Sequence, residues 1–151
     1  MPVGTPILYT DFFDFNGAWT PTWNSLTAGT GAVNEGWYQR FGEWVFWGFR
    51  LQFGTSPSFA STIFVNLPVN AYTGGGTALQ ACLGSWVFRD SSAGTHYAGS
   101  IGIWSSAGTS ASFAGAWGGS VPNSRVGTSG TAPVSVAVDD VLSGSGVYRA
   151  A

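Results

Sequence analysis

The sequence has no lysine, and its whole charge complement is five arginines and seven acidic residues across 151 positions. Charged side chains make up 8% of the chain, against roughly a quarter in an ordinary soluble domain. The arginines (Arg40, Arg50, Arg89, Arg125 and Arg149) are scattered, and the net charge is −2. That excludes a basic track for nucleic acid. Cys82 is the only cysteine, so neither an intrachain disulfide nor a cysteine metal cage can form. It falls in the apolar run 79–88 and reads as a small core residue. His96 is the only histidine, which rules out a histidine-rich metal site. No run approaches the ~18 uninterrupted apolar residues of a membrane span, so no membrane partner is expected. The opening Met1-Pro2-Val3-Gly4 lacks the positive region and long apolar stretch of a signal peptide; a soluble product made in a cytoplasm and not exported by a signal of its own is expected.

Aromatic side chains are abundant instead: eight tryptophans, five tyrosines and eleven phenylalanines. With so few charges, the solvated skin must be built from Ser, Thr, Gly and Asn. Coverage of the aromatic surface by other copies or by a larger assembly is the economical explanation, and it favours a structural or binding role.

Helical periodicity is missing, and short β-rich runs bounded by Gly, Asn, Ser and Pro recur, the pattern of a sandwich or barrel. The clearest unit runs from Gly36 to Phe53. Gly42-Glu43 reads as a two-residue hairpin turn, because glycine supplies the positive φ that a type II′ turn needs first. In its second strand Val45, Trp47, Phe49, Leu51 and Phe53 share one face and form core. The other face carries Trp44 and Phe46, then Gly48, Arg50 and Gln52, half apolar and half polar. A neighbouring subunit packed on its apolar end would produce that pattern. Further strands are expected over 18–23, 62–67, 77–88, 97–104, 111–116, 134–142 and 146–149. Val134, Val136 and Val138 should share a core face, and Tyr97, Gly99, Ile101 and Ile103 should alternate in the same way.

Residues 1–16 form an arm, distinct from a single β domain over 17–151. Its apolar side chains are Ile7, Leu8, Tyr9, Phe12, Phe13 and Phe15, more than a disordered tail normally carries. The arm either folds along its own domain or docks into a partner.

Signals for catalysis are weak. No Gly-x-Ser-x-Gly, phosphate-loop, dinucleotide or calcium-loop pattern occurs, so neither an enzyme nor a cofactor is expected. Glycan cleavage needs two opposed carboxylates, but the spacing brings none together. Asp139 and Asp140 would point to opposite faces of a strand. Asp11 and Asp14 lie in the arm, and Asp90 reads as a turn cap. His96, at a turn leading into a strand, reads as a surface histidine. A sugar-binding platform would draw on Trp19, Trp23, Trp37, Trp86, Trp104 and Trp117. Burial is the default for each, and Trp104 and Trp117, bordering small-residue loops, are the candidates for glycan contact.

Four segments carry a resemblance: Gly17-Ala-Trp-Thr-Pro-Thr-Trp23; Gly36-Trp-Tyr-Gln-Arg-Phe-Gly-Glu-Trp-Val45; Ile63-Phe-Val-Asn-Leu-Pro-Val69; and Pro133 to Asp140 followed by Ser143-Gly-Ser-Gly-Val-Tyr-Arg-Ala-Ala151. In this order they resemble a β-rich domain of tailed bacteriophages of actinobacterial hosts, found in minor tail or fibre proteins and in short virion proteins. Two departures stand out: Val138-Asp139-Asp140 replaces an aromatic and Gly-Asp, and Arg149 stands where an acid is usual. The resemblance implies an antiparallel, jelly-roll-like β-sandwich that assembles as a homotrimer in the virion. A capsid decoration protein would dock its arm on the major capsid or a tail protein and meet sibling subunits through Trp44, Phe46 and Arg50. A tail-fibre or tail-tip domain recognising host glycan is the alternative.

Overall fold

A computed structural model describes residues 17–73, 82–103, 108–115, 124–125 and 135–151. Ten strands run in sequence: β1 (Ala18–Trp19), β2 (Trp23–Thr27), β3 (Val33–Phe41), β4 (Trp44–Gln52), β5 (Ser58–Asn66), β6 (Cys82–Asp90), β7 (Thr95–Ile103), β8 (Ser110–Gly115), β9 (Ser124–Arg125) and β10 (Val141–Arg149). Among the described residues there is no helix. The all-β, antiparallel expectation is met: every strand pairing is antiparallel, and all belong to one sheet ordered β1-β3-β4-β10-β6-β7-β8-β5-β2, with β9 beside β8.

That sheet curls on itself. β1 and β2 end the strand order on opposite sides, yet only residues 20–22 connect them. The run expected as one strand over 18–23 is divided here. Pro21 lies in the break, where its lack of an N–H costs no ladder bond. Asn34 of β3 ties the link down: its Nδ2 donates to the Pro21 carbonyl at 2.7 Å, and its Oδ1 accepts from Trp23 Nε1 at 3.0 Å.

The β3–β4 hairpin forms as its sequence dictates. Phe41 pairs with Trp44 across Gly42-Glu43, and Gly42 has φ +57°. β4 then alternates cleanly. Val45, Trp47, Phe49, Leu51 and the following Phe53 are buried, while Trp44, Phe46 and Arg50 are exposed. The curl closes over the buried face, bringing Trp23 of β2 edge-on to Phe49 (5.3 Å between ring centroids) and Phe53 to Phe59 of β5 (5.9 Å). Trp86, Phe88, Ile63, Val65, Ile101 and Leu142 are among the other side chains of the core. Each such side chain contributes about 2 kcal/mol by leaving water. Tyr97, Gly99, Ile101 and Ile103 share a face as expected, Ile101 and Ile103 fully buried and the first two partly so.

β10 sits at the centre, between β4 and β6. Its contact with β6 depends on glycines. A Cβ on Gly146 would lie 1.8 Å from the Leu83 carbonyl oxygen, and one on Gly84 would lie 2.1 Å from that of Ser145. The register with β7 shifts between Cys82 and Gly84, a bulge where the two backbones approach this closely.

The C-terminal portion departs from expectation. The strands foreseen over 134–142 and 146–149 are replaced by a loop over 135–140 and the single strand β10. Asp139 adopts a left-handed φ of +66°, incompatible with a continuing strand. Asp140 is fully buried, and its carboxylate accepts from Ser91 N and Ala137 N, both at 2.8 Å. These bonds fix the loop, so the expected valine face does not form: Val136 packs against the core and Val138 is exposed. Val134 lies outside the described residues. The remaining expected strands differ at their ends and by the appearance of β9.

Candidate interaction face

Alternation places the odd-numbered residues of β3 and the even-numbered residues of β4 on the outer surface, and strand register extends that surface across β10, β6 and β7. One row runs Phe41, Trp44, Arg149; the next runs Gln39, Phe46, Val147. A third runs Trp37, Gly48, Ser145, Ser85, Ser100, and a fourth Glu35, Arg50, Ser143, Val87, Ala98. The face therefore has an apolar end and a polar end. At the apolar end Trp44 is 52% and Phe46 45% exposed, with Phe41 and Val147 exposed beside them.

Two of the arginines on this surface are paired locally, while Arg89 stands exposed one row beyond Val87. Arg149 Nε donates to Glu43 Oε2 at 2.8 Å, and the same guanidinium lies over the Tyr72 ring, 4.5 Å from its centroid. Glu43 therefore holds the Arg149 pKa above its ordinary value. Arg50 stands 3.6 Å from Glu35 and donates to Gln52 Oε1 at 2.7 Å. Trp44, Tyr72, Val147 and Arg149 also border a cleft of about 210 Å³ floored by Leu83 and Ile103.

The two interface aromatics expected from sequence, Trp44 and Phe46, thus share one exposed strand face with Arg50. Trp37, Phe41 and Val147 were missed as members of this face. Their signal was present: Val33, Glu35, Trp37, Gln39 and Phe41 alternate in register with the outer residues of β4. Of the tryptophan pool, Trp86 is buried, Trp19 and Trp23 pack partly buried against the core, and Trp37 is 52% exposed. The glycan candidates Trp104 and Trp117 lie outside the described residues, as do the arm residues Ile7, Leu8, Tyr9, Phe12, Phe13 and Phe15.

The described aspartates hold turns and loops. Asp90 caps its own turn, accepting from Ala93 N at 2.9 Å and Ser92 Oγ at 2.7 Å, which holds its pKa below the usual carboxylate value. Asp139, expected opposite Asp140 on a strand, instead accepts from Gln52 Nε2 at 3.0 Å in the loop. His96 is exposed within β7, paired in register with Arg89. Among the described residues no three His, Cys, Asp or Glu side chains gather as a metal site, and no helix is long and apolar enough to cross a membrane.

Comparison of the chain with family models, with curated proteins and with solved structures gives no match.

Proposed function

We propose that the protein is a non-enzymatic structural component of a bacteriophage virion. In this reading it is an oligomeric capsid decoration protein that docks on the particle through residues 1–16. The apolar end of the outer face, centred on Trp44 and Phe46, is the contact with sibling subunits. The observation carrying this reading is that continuous patch of Phe41, Trp44, Phe46 and Val147, exposed on a chain with very little charge to keep it in solution. Contiguous aromatic surface of this kind marks association. A closed trimer would cover it and shelter sheet edges at the same time. The virion assignment rests on the four sequence segments described above, and repeated copies would turn weak single contacts into firm attachment.

The test removes residues 1–16 and measures binding to particles that lack the protein. Loss of attachment with an intact oligomer supports the reading; undiminished attachment overturns it.

A further inference from the structure

The polar end of the outer face is built differently from the end assigned to subunit contact. Gly48 of β4 bears no side chain, and a Cβ there would lie 2.7 Å from Cε2 and Nε1 of Trp37. The indole therefore lies across the sheet over Gly48, with half its surface in solvent. Register puts Gly48, and the ring above it, directly beside Ser145. Ser145, with Ser143, Gly144, Ser85, Trp86 and Val87, lines a shallow hollow of about 190 Å³. Glu35 and Arg50, on the neighbouring row, face each other at 3.6 Å, so their charges cancel.

We propose that Trp37 and the serine-lined hollow beside it form a binding site for a neutral saccharide ring. An indole face suits the apolar C–H face of a pyranose. Serine hydroxyls both donate and accept, matching the dual character of sugar hydroxyls. The paired Glu35 and Arg50 give no preference for an anionic or cationic ligand, and Arg89, one row beyond Val87, is a single cation and not the basic track that a nucleic acid would require. The hollow is smaller than the roughly 300 Å³ lower bound of clefts that engulf a ligand. It takes one ring of a surface glycan, and repeated copies supply the avidity. The site does not depend on where the protein sits on a particle, and its test is separate from the attachment experiment.

The experiment titrates the full chain with neutral gluco-, manno- and N-acetylgluco-oligosaccharides, reading tryptophan fluorescence and heat. An acidic galacturonate oligomer is the comparator. At least one neutral oligomer is expected to bind saturably. Trp37→Ala should weaken it about tenfold by removing the stacking platform. Ser145→Leu should abolish binding by filling the hollow while leaving Trp37 in place. Circular dichroism verifies that both variants are folded. The proposal is overturned if no neutral oligomer binds, if both variants bind like the parent, or if the acidic oligomer binds as tightly as the neutral ones.

Discussion

The hydroxyl of Tyr148 donates to the carbonyl of Val69 at 2.6 Å and accepts from the N–H of the same residue at 3.3 Å. One phenol thereby satisfies both backbone groups of a residue beyond the end of β5, while its ring packs edge-on to Trp47 at 6.2 Å. Burial pushes the Tyr148 pKa well above its ordinary value. The folded state thus holds its proton more tightly than the unfolded chain, whose tyrosine titrates near pH ~10. The resulting stability is complete below that value and falls as pH rises beyond it. Tyr148→Phe should cost about 1–3 kcal/mol near neutrality, because both Val69 groups lose their partner. Urea denaturation as a function of pH should show the alkaline decline in the parent and a weaker one in the variant.

Asp140 makes a comparable closure at the other end of β10. Its buried carboxylate takes the N–H groups of Ser91 and Ala137, joining the β6–β7 turn to the loop before β10. Asp140→Ala leaves both donors without that acceptor and should destabilise the protein by about 3 kcal/mol. The same denaturation measurement checks it, and a loss under half that size would mean that the loop is held by its backbone bonds to Phe53.

Asp90 carries an acid-side signature. Its pKa is lowered by the Ala93 N–H and the Ser92 hydroxyl. The corresponding stability is present above the unfolded carboxylate value near ~4 and is lost as pH falls through the lower folded value. Asp90→Asn should therefore flatten part of the acid-induced loss of stability. An unchanged acid profile would show that the cap does not couple to unfolding.

Two glycines should respond very unequally to alanine. At Gly146 the added methyl meets a backbone carbonyl that cannot retreat, and Gly146→Ala should cost about 3 kcal/mol or more. At Gly48 it meets the exposed Trp37 ring, which can swing outward, so Gly48→Ala should cost under about 1 kcal/mol. Thermal melts of the pair provide the comparison, and equal losses would contradict the geometry.

On the outer face, Trp44→Ser combined with Phe46→Ser removes the most exposed aromatic pair of the apolar end. Sedimentation should show a shift from oligomer to monomer, with stability of the dissociated subunit changed by less than about 0.5 kcal/mol per site. An unaltered sedimentation coefficient would move the subunit contact elsewhere.

The β3–β4 hairpin was legible residue by residue, because a glycine at the turn and strict alternation in β4 fix both register and faces locally. Trp37 was ambiguous: a tryptophan in a strand is usually core, its alternation with Glu35 and Gln39 argued the other way, and the pairing with Gly48 decides for the outer face. The Asp139–Asp140 segment misled. Val134 to Val138 alternates like a strand, but a left-handed φ at Asp139 and a buried carboxylate at Asp140 outweigh that pattern. Both depend on partners distant in sequence, Phe53 and Ser91, which local periodicity cannot register. The glycine approach between β6 and β10 was equally invisible, since it concerns backbones paired only after folding.

The central place of β10 also sets the order in which the molecule can be made. Without residues 141–149 the strand pairings leave two ladders, β1-β3-β4 and β6-β7-β8-β5-β2, joined only by side-chain and loop bonds such as Trp23 to Asn34 and Gly54 to Ala28. A chain emerging from the ribosome can assemble each ladder but cannot complete the sheet between them until β10 has emerged. Such late, long-range closure is slow. In the interval β4 and β6 each offer a raw edge, so crowding of nascent chains in the producing cell is the moment of greatest exposure to mispairing.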